Sequence, residues 1–299
     1  MHNFANHEFG SQDTDLKLSI VEQYLRQFSI ALTGKFPELW YIDAFAGSGT
    51  RTVRVEARGG DLFDAAAPEQ IEQRRGSAQI AIDIKPHFSR LIFVEKNPRY
   101  CSALHDLSNG HRSRKIDIIE GDANAELARL IANTDWRKVR AVMFLDPYGM
   151  EVEWKTLEAI ANTRAIDLWY LFSLSGLYRQ ATRDASNIDP SKRSALNRML
   201  GSDRWQNELY STSTEQTLFG VTESEKRTAD VQGLENYVKR RLQEIFPVVL
   251  KPLALPVERR PQRFSLFFAI SNPDHRAIGP ASRIAGHILN SGNSFQIRP

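Results

Sequence analysis

Residues 40–50 read Trp40-Tyr41-Ile42-Asp43-Ala44-Phe45-Ala46-Gly47-Ser48-Gly49-Thr50. An apolar run stops at Asp43, and a turn of small residues follows, with Phe45 its one bulky member. Small residues bring backbone close to a ligand, because no side chain holds the ligand away. The pattern is D-x-F-A-G-x-G. It is not the G-x-G-x-x-G of a dinucleotide-binding turn, which argues against a nicotinamide cofactor.

On either side of this turn the chain alternates strand and helix. Apolar positions at Leu16, Ile20, Val21, Tyr24, Leu25, Phe28 and Leu32 predict a helix over 15–33, with Asp13, Thr14 or Asp15 as its N-cap. Strands are predicted at 39–44, 91–94, 116–119, 141–145 and 166–172. The continuous run Leu91-Ile92-Phe93-Val94 suits a parallel strand covered on both faces. Helices fall between them at 78–84, from Pro98, at 125–131 and around Trp154–Ala161. This alternation predicts an α/β fold with a doubly wound, mostly parallel sheet.

Residues 51–75 have no clear period and read as a long loop, a lid or substrate-recognition element. From 173 to 246 the strand signal fades and helices are expected at 191–200, 203–210 and 227–246. Two strands follow, at 248–257 and 264–270. Pro252 and Pro256 make the first irregular or an edge, and 258–263 could form a hairpin connection. A helix over 277–290 comes last. The expected organisation is one domain over 1–299: the N-terminal helix 15–33, a core of 39–172 and 247–299, and a helical insertion at 173–246.

Ligands of open α/β sheets bind beyond the C-terminal ends of the strands. Strand one ends at Asp43, strand two at Glu95, strand three at Gly121-Asp122-Ala123-Asn124 and strand four at Asp146-Pro147-Tyr148-Gly149. Four consecutive strands thus present carboxylates at one rim, where they repel one another unless a polar ligand with hydroxyls and amines meets them. Local duties are open to three of them: Asp43 as a turn cap, Glu95 as a surface acid beside Lys96, Asp122 as a helix N-cap. Asp146 is hardest to assign locally, because Pro147-Tyr148-Gly149 delays the next helix.

Asp43 to Gly49 resembles the cofactor motif of S-adenosylmethionine-dependent methyltransferases. Asp146-Pro147-Tyr148-Gly149 resembles the D/N-P-P-Y/F motif of the amino-methyltransferases. Taken with Phe93-Val94-Glu95-Lys96-Asn97-Pro98, Glu120-Gly121-Asp122-Ala123-Asn124 and Trp154 to Ala161, the pattern is similar to the three-Cys-motif partner proteins, a bacterial methyltransferase-like group. It covers residues 15–175 well and the C-terminal half weakly.

The resemblance implies a Rossmann-like class I methyltransferase fold that binds S-adenosyl-L-methionine. Gly47 and Gly49 would let the turn approach the cofactor's amino-acid portion, with Phe45 and Ala46 lining it. Asp43 would meet the methionine amine, and Glu95 both ribose hydroxyls, a role suited to an acceptor-only carboxylate. Asp122 would accept from the adenine amine, and Ala123 would offer its backbone N–H to the ring. Asp146 and the carbonyl of Pro147 would hold a target amine, and Tyr148 would stack on a flat target group. Tyr148 stands where the amino-methyltransferase motif has a second proline, so the acceptor loop departs from that pattern.

The leading expectation is therefore a methyltransferase acting on an amine or amide nitrogen of nucleic acid. Two rivals stand beside it: a non-catalytic cofactor-binding partner of a three-cysteine-motif protein, and a nicotinamide-dependent oxidoreductase. Composition bounds the rest. The chain has 299 residues, 41% hydrophobic and 25% charged, with a formal net charge of +3. Basic bunches at Arg74-Arg75, Arg112 to Lys115, Lys239 to Arg241 and Arg259 to Arg263 could contact phosphates or simply be solvated faces. No apolar run spans a bilayer, and Met1 to Gly10 lacks a signal-peptide layout. The single cysteine, Cys101, permits no internal disulfide and points to a reducing, cytoplasmic setting. The seven histidines are scattered, without metal-ligand spacing.

Overall fold

A computed structural model describes residues 4–55, 70–217, 220–257 and 261–294. The elements run α1 (Phe4–Leu32), β1 (Glu38–Asp43), β2 (Thr50–Val55), β3 (Gln70–Arg75), α2 (Ser77–Asp83), β4 (Arg90–Glu95), α3 (Pro98–Asn109), β5 (Ile116–Glu120), α4 (Ala123–Ala132), β6 (Val139–Leu145), α5 (Trp154–Asn162) and β7 (Ile166–Phe172). They continue with α6 (Leu174–Gln180), α7 (Pro190–Leu200), α8 (Trp205–Leu209), β8 (Tyr210–Thr217), β9 (Gly220–Arg227), α9 (Val231–Ile245), β10 (Val248–Val249), β11 (Leu253–Leu255), β12 (Phe264–Ile270) and α10 (His275–Ser294).

The central sheet has the order β10-β12-β7-β6-β1-β4-β5, with β11 also paired to β12. Strands β5, β4, β1, β6 and β7 are mutually parallel, and β12 runs antiparallel to β7. This is a mixed α/β architecture with a mostly parallel central sheet, as the sequence predicts. One antiparallel strand, β12, stands near the edge of the otherwise parallel array. Alternate side chains feed two apolar layers, as the two-residue period of a strand requires. Trp40, Ile42, Met143, Leu168 and Phe267 face one layer; Tyr41, Phe93, Phe144, Trp169 and Phe268 face the other. Helices α4, α5, α7 and α9 cover the first layer, and α1, α2 and α10 the second.

The chain leaves β1 for β4 and β5, then returns to the other side of β1 as β6. The sheet therefore reverses its winding between β1 and β6, and a crevice opens there at the carboxyl ends of the strands. Asp43 lies across from Phe144 in that register, and Ala44 N donates to Phe144 O at 3.2 Å, so Asp43 and Asp146 flank the crevice.

Three expectations need correction. First, α1 begins by Phe4, so Asp13, Thr14 and Asp15 lie inside it and do not cap it. No proline interrupts residues 4–14, so nothing local stops the helix there. Second, residues 51–75 are not wholly loop: their ends pair as the antiparallel ribbon β2–β3, while 56–69 fall outside the described residues. Gly76 N donates to Gly49 O at 2.9 Å and closes its base. Asp15 of α1 pairs with Arg51 and Arg74, and Glu22 with Arg75. Third, 173–246 is not purely helical, because β8 and β9 form a hairpin there. Thr212, Thr214 and Glu223 are exposed on it. Backbone pairing carries this hairpin, so no apolar alternation marks it in the sequence. The proposed connection at 258–263 is only partly described, since 258–260 are not.

Candidate active site

The small-residue turn after β1 takes its shape from two glycines. Gly47 and Gly49 have φ of +59° and +76°, the left-handed region that other residues enter only at a cost. A Cβ on Gly49 would also approach Leu107 Cδ2 to 2.8 Å. At Gly47 a Cβ would meet nothing within 4 Å, which leaves an open space above the turn.

Each carboxylate behind this turn grips backbone two residues further along. Asp43 is fully buried and accepts from Phe45 N at 3.2 Å and from Tyr41 Oη at 3.2 Å. Burial, together with the Asp146 charge, raises its pKa to about 6 against the lowering effect of hydrogen bonds from Ser77, Phe45 N and Tyr41. Glu95 is 5% exposed and accepts from Gly47 N and from Asn97 N, both at 2.8 Å. It therefore pins the turn to the end of β4. Asp122 caps α4, its Oδ1 taking Asn124 N at 3.0 Å and Ala125 N at 3.1 Å, with Ala123 buried behind it. Each of the three keeps lone pairs beyond these bonds, since a carboxylate offers about four acceptor sites.

A cavity of about 720 Å³ opens at the crevice. Phe45, Ala46, Gly47 and Gly49 line one side, and Asp146, Pro147 and Tyr148 another. The structure thus brings the turn and the fourth-strand motif to one space. Asp43, Glu95, Asp122 and Ala123 do not line it; Asp43 and Glu95 hold its floor through Phe45 and Gly47. Tyr148 is 74% exposed at the mouth, and Tyr100 of α3 is a further exposed aromatic on the lining.

Three cations of the cavity lie outside the motifs. Lys17 of α1 is 7% exposed, and its ammonium pairs with Asp146 Oδ2. It stands in line with the buried stripe Val21, Tyr24 and Phe28, and a cation on an apolar helical stripe was the available signal. Arg51 pairs with Asp15. Arg263 is exposed beside β12 and pairs with no carboxylate among the described residues. Arg263 belongs to the basic bunch Arg259 to Arg263, whereas Arg51 had no sequence signal beyond its charge. Among the described residues no cluster of His, Cys, Asp and Glu could hold a metal ion, and no helix is long and apolar enough to cross a membrane.

No family model and no curated protein matches the chain. Among solved structures it is similar to a Legionella pneumophila protein at 13% identity and TM-score 0.49, with 92% of each chain covered. It is also similar to an S-adenosylmethionine-dependent methyltransferase of Clostridium acetobutylicum at 10% identity and TM-score 0.37, covering 86% of this chain and 92% of that one. A putative methyltransferase of Escherichia coli matches at 9% identity and TM-score 0.31, over 68% of this chain and 83% of that one.

Proposed function

We propose that the chain is an S-adenosyl-L-methionine-dependent methyltransferase acting on an amine or amide nitrogen, with nucleic acid as the source of the acceptor. The observation that carries this reading is the meeting of the glycine turn and Asp146-Pro147-Tyr148 in one cavity at the switch point of the sheet. The small-residue turn that lines the cavity suits the cofactor. The open space over Gly47 admits its amino-acid portion. Asp43 and Glu95 lie beneath the turn that floors the cavity, and would meet the cofactor's ammonium group and ribose hydroxyls directly or through water. Asp122 and Ala123 would take the adenine edge.

When bound, the cofactor supplies an activated methyl group on a sulfonium. Such transfer asks the protein mainly for position and water exclusion. Asp146 and the Pro147 carbonyl would orient the acceptor nitrogen, and Tyr148 would stack on a flat group attached to it. Arg263, without a carboxylate partner among the described residues, suits a phosphate. A second reading, the non-catalytic partner of a three-cysteine-motif protein, draws support from Lys17, which already occupies Asp146.

Titration calorimetry with S-adenosylmethionine and with NAD tests the cofactor. Binding of the first alone is expected, and no binding of it would overturn the reading. Labelled cofactor with total RNA, DNA and protein then tests transfer: label in nucleic acid is expected, and binding without transfer to any acceptor would favour the partner reading.

A further inference from the structure

The proposed acceptor carboxylate already holds an amine, and that amine belongs to the chain. Lys17 Nζ donates to Asp146 Oδ2, lies 5.9 Å from the centre of the Phe144 ring and lines the same cavity as Gly47 and Gly49. We infer that Lys17 is a methyl acceptor in cis, so that the enzyme modifies its own N-terminal helix when no other acceptor is present. This inference rests on the methyltransferase reading above and adds a modification site to it.

Two features favour it. First, Lys17 is not on a loose tail. Val21, Tyr24, Leu25 and Phe28 bury α1 against the sheet, and Tyr24 Oη donates to Asp167 Oδ2 at 2.6 Å. A nucleophile held this way acts at an effective concentration far above that of any free amine, up to about 10⁵ M or more in well-oriented cases. Second, the side chain is almost out of water, so little solvent must leave before reaction.

The step balances. The Lys17 ammonium gives one proton to the Asp146 carboxylate. The freed lone pair forms a nitrogen–carbon bond with the methyl group of the sulfonium donor. The sulfur–methyl bond breaks and its electron pair stays on sulfur, leaving a neutral thioether. The product is a secondary ammonium, and Asp146 returns its proton to solvent. The modified side chain keeps its charge and so keeps its ion pair.

The experiment uses the full chain incubated with deuteromethyl-labelled S-adenosylmethionine and no added acceptor, followed by intact mass and peptide mapping. One labelled methyl per chain at Lys17 is expected, at a rate independent of protein concentration. A rate that rises with protein concentration would overturn the assignment in cis. Calorimetry on the same sample separates the two failures: no cofactor binding defeats the methyltransferase reading, whereas binding with an unlabelled Lys17 defeats only this inference. If a preparation arrives already methylated at Lys17, the mass of the purified chain shows it. A readout without cofactor tests the contact itself. Lys17 should resist an acetylating reagent in the unmodified protein and react several-fold faster in Asp146→Asn; equal reactivity would show that Asp146 does not hold the amine.

Discussion

The two halves of the strand rim are built by different means. On the proposed cofactor side, Asp43, Glu95 and Asp122 each accept a backbone N–H from the residue two places on: Phe45, Asn97 and Asn124. Such bonds need only the local chain, and they fix each carboxylate before any distant element arrives. On the proposed acceptor side, Asp146 shows no such bond among the described residues and is met by Lys17, 129 residues away. The proposed cofactor half is thus a property of three strand ends, whereas the proposed acceptor half is a property of the assembled fold. One half is preorganised by short loops; the other is adjustable by whatever α1 and the loop before β12 present to it.

The largest test of this division is Asp146→Asn. Transfer should fall by about 10²-fold or more, the scale of a misplaced reactant, while cofactor affinity holds. Label transfer and calorimetry read the two separately, and equal loss in both would merge the halves. Next comes Glu95→Ala. It strands Gly47 N–H and Asn97 N–H, and a stranded buried donor costs about 1–3 kcal/mol. Cofactor affinity should drop about tenfold to a hundredfold; an unchanged affinity would reduce Glu95 to a structural clamp.

Gly49→Ala forces a side chain into the left-handed region and toward Leu107, at about 1–2 kcal/mol in urea unfolding. A neutral result would mean the turn is less constrained than its angles imply.

A smaller effect follows pH. Asp43 holds its proton in the fold up to about 6, and a cationic amine demands the carboxylate. Affinity for the cofactor should therefore fall as pH drops through 6, about tenfold over the next unit, with proton release visible in buffers of different ionisation heat. Asp43→Asn should flatten that profile. Stability of the ligand-free chain should move the other way. Burial holds Asp43 and Asp167 protonated to about 6, whereas the unfolded chain loses those protons near 4, so stability rises as pH falls from about 6 to about 4. The smallest effect belongs to Arg75→Ala at the foot of the ribbon. Its pairs with Glu22 and Asp83 are solvent-exposed, and a change of no more than about 1 kcal/mol is expected.

The same contrast explains what could be read from the sequence. Buried parallel strands announce themselves as apolar runs, so β1, β4, β6 and β7 were legible, and their ends gave Asp43, Glu95 and Asp146. Pro98 marked the start of α3 for the same local reason. The β8–β9 hairpin was not legible, because Ser and Thr exposed on both sides leave no period for a pattern to follow. Nor was the ribbon β2–β3, whose attachment depends on Asp15 and Glu22 of another element. Lys17 lay in plain view among apolar neighbours, but its partner could be found only once α1 was laid across the sheet.

The pairing of β12 with β7 has a consequence for the birth of the molecule. Phe172 lies opposite Ser265 and Asp167 opposite Ile270, so one edge of β7 is completed by residues made roughly a hundred positions later. At translation speeds of about 5–20 residues per second, β7 waits on the order of 5–20 s for its neighbour. During that interval the ribosome displays a nascent chain with an open, apolar sheet edge, while the helices and hairpin of 173–246 emerge between the two strands. Chaperone dependence of this protein should therefore be greatest late in synthesis, when most of the chain has been made but its sheet still lacks β12.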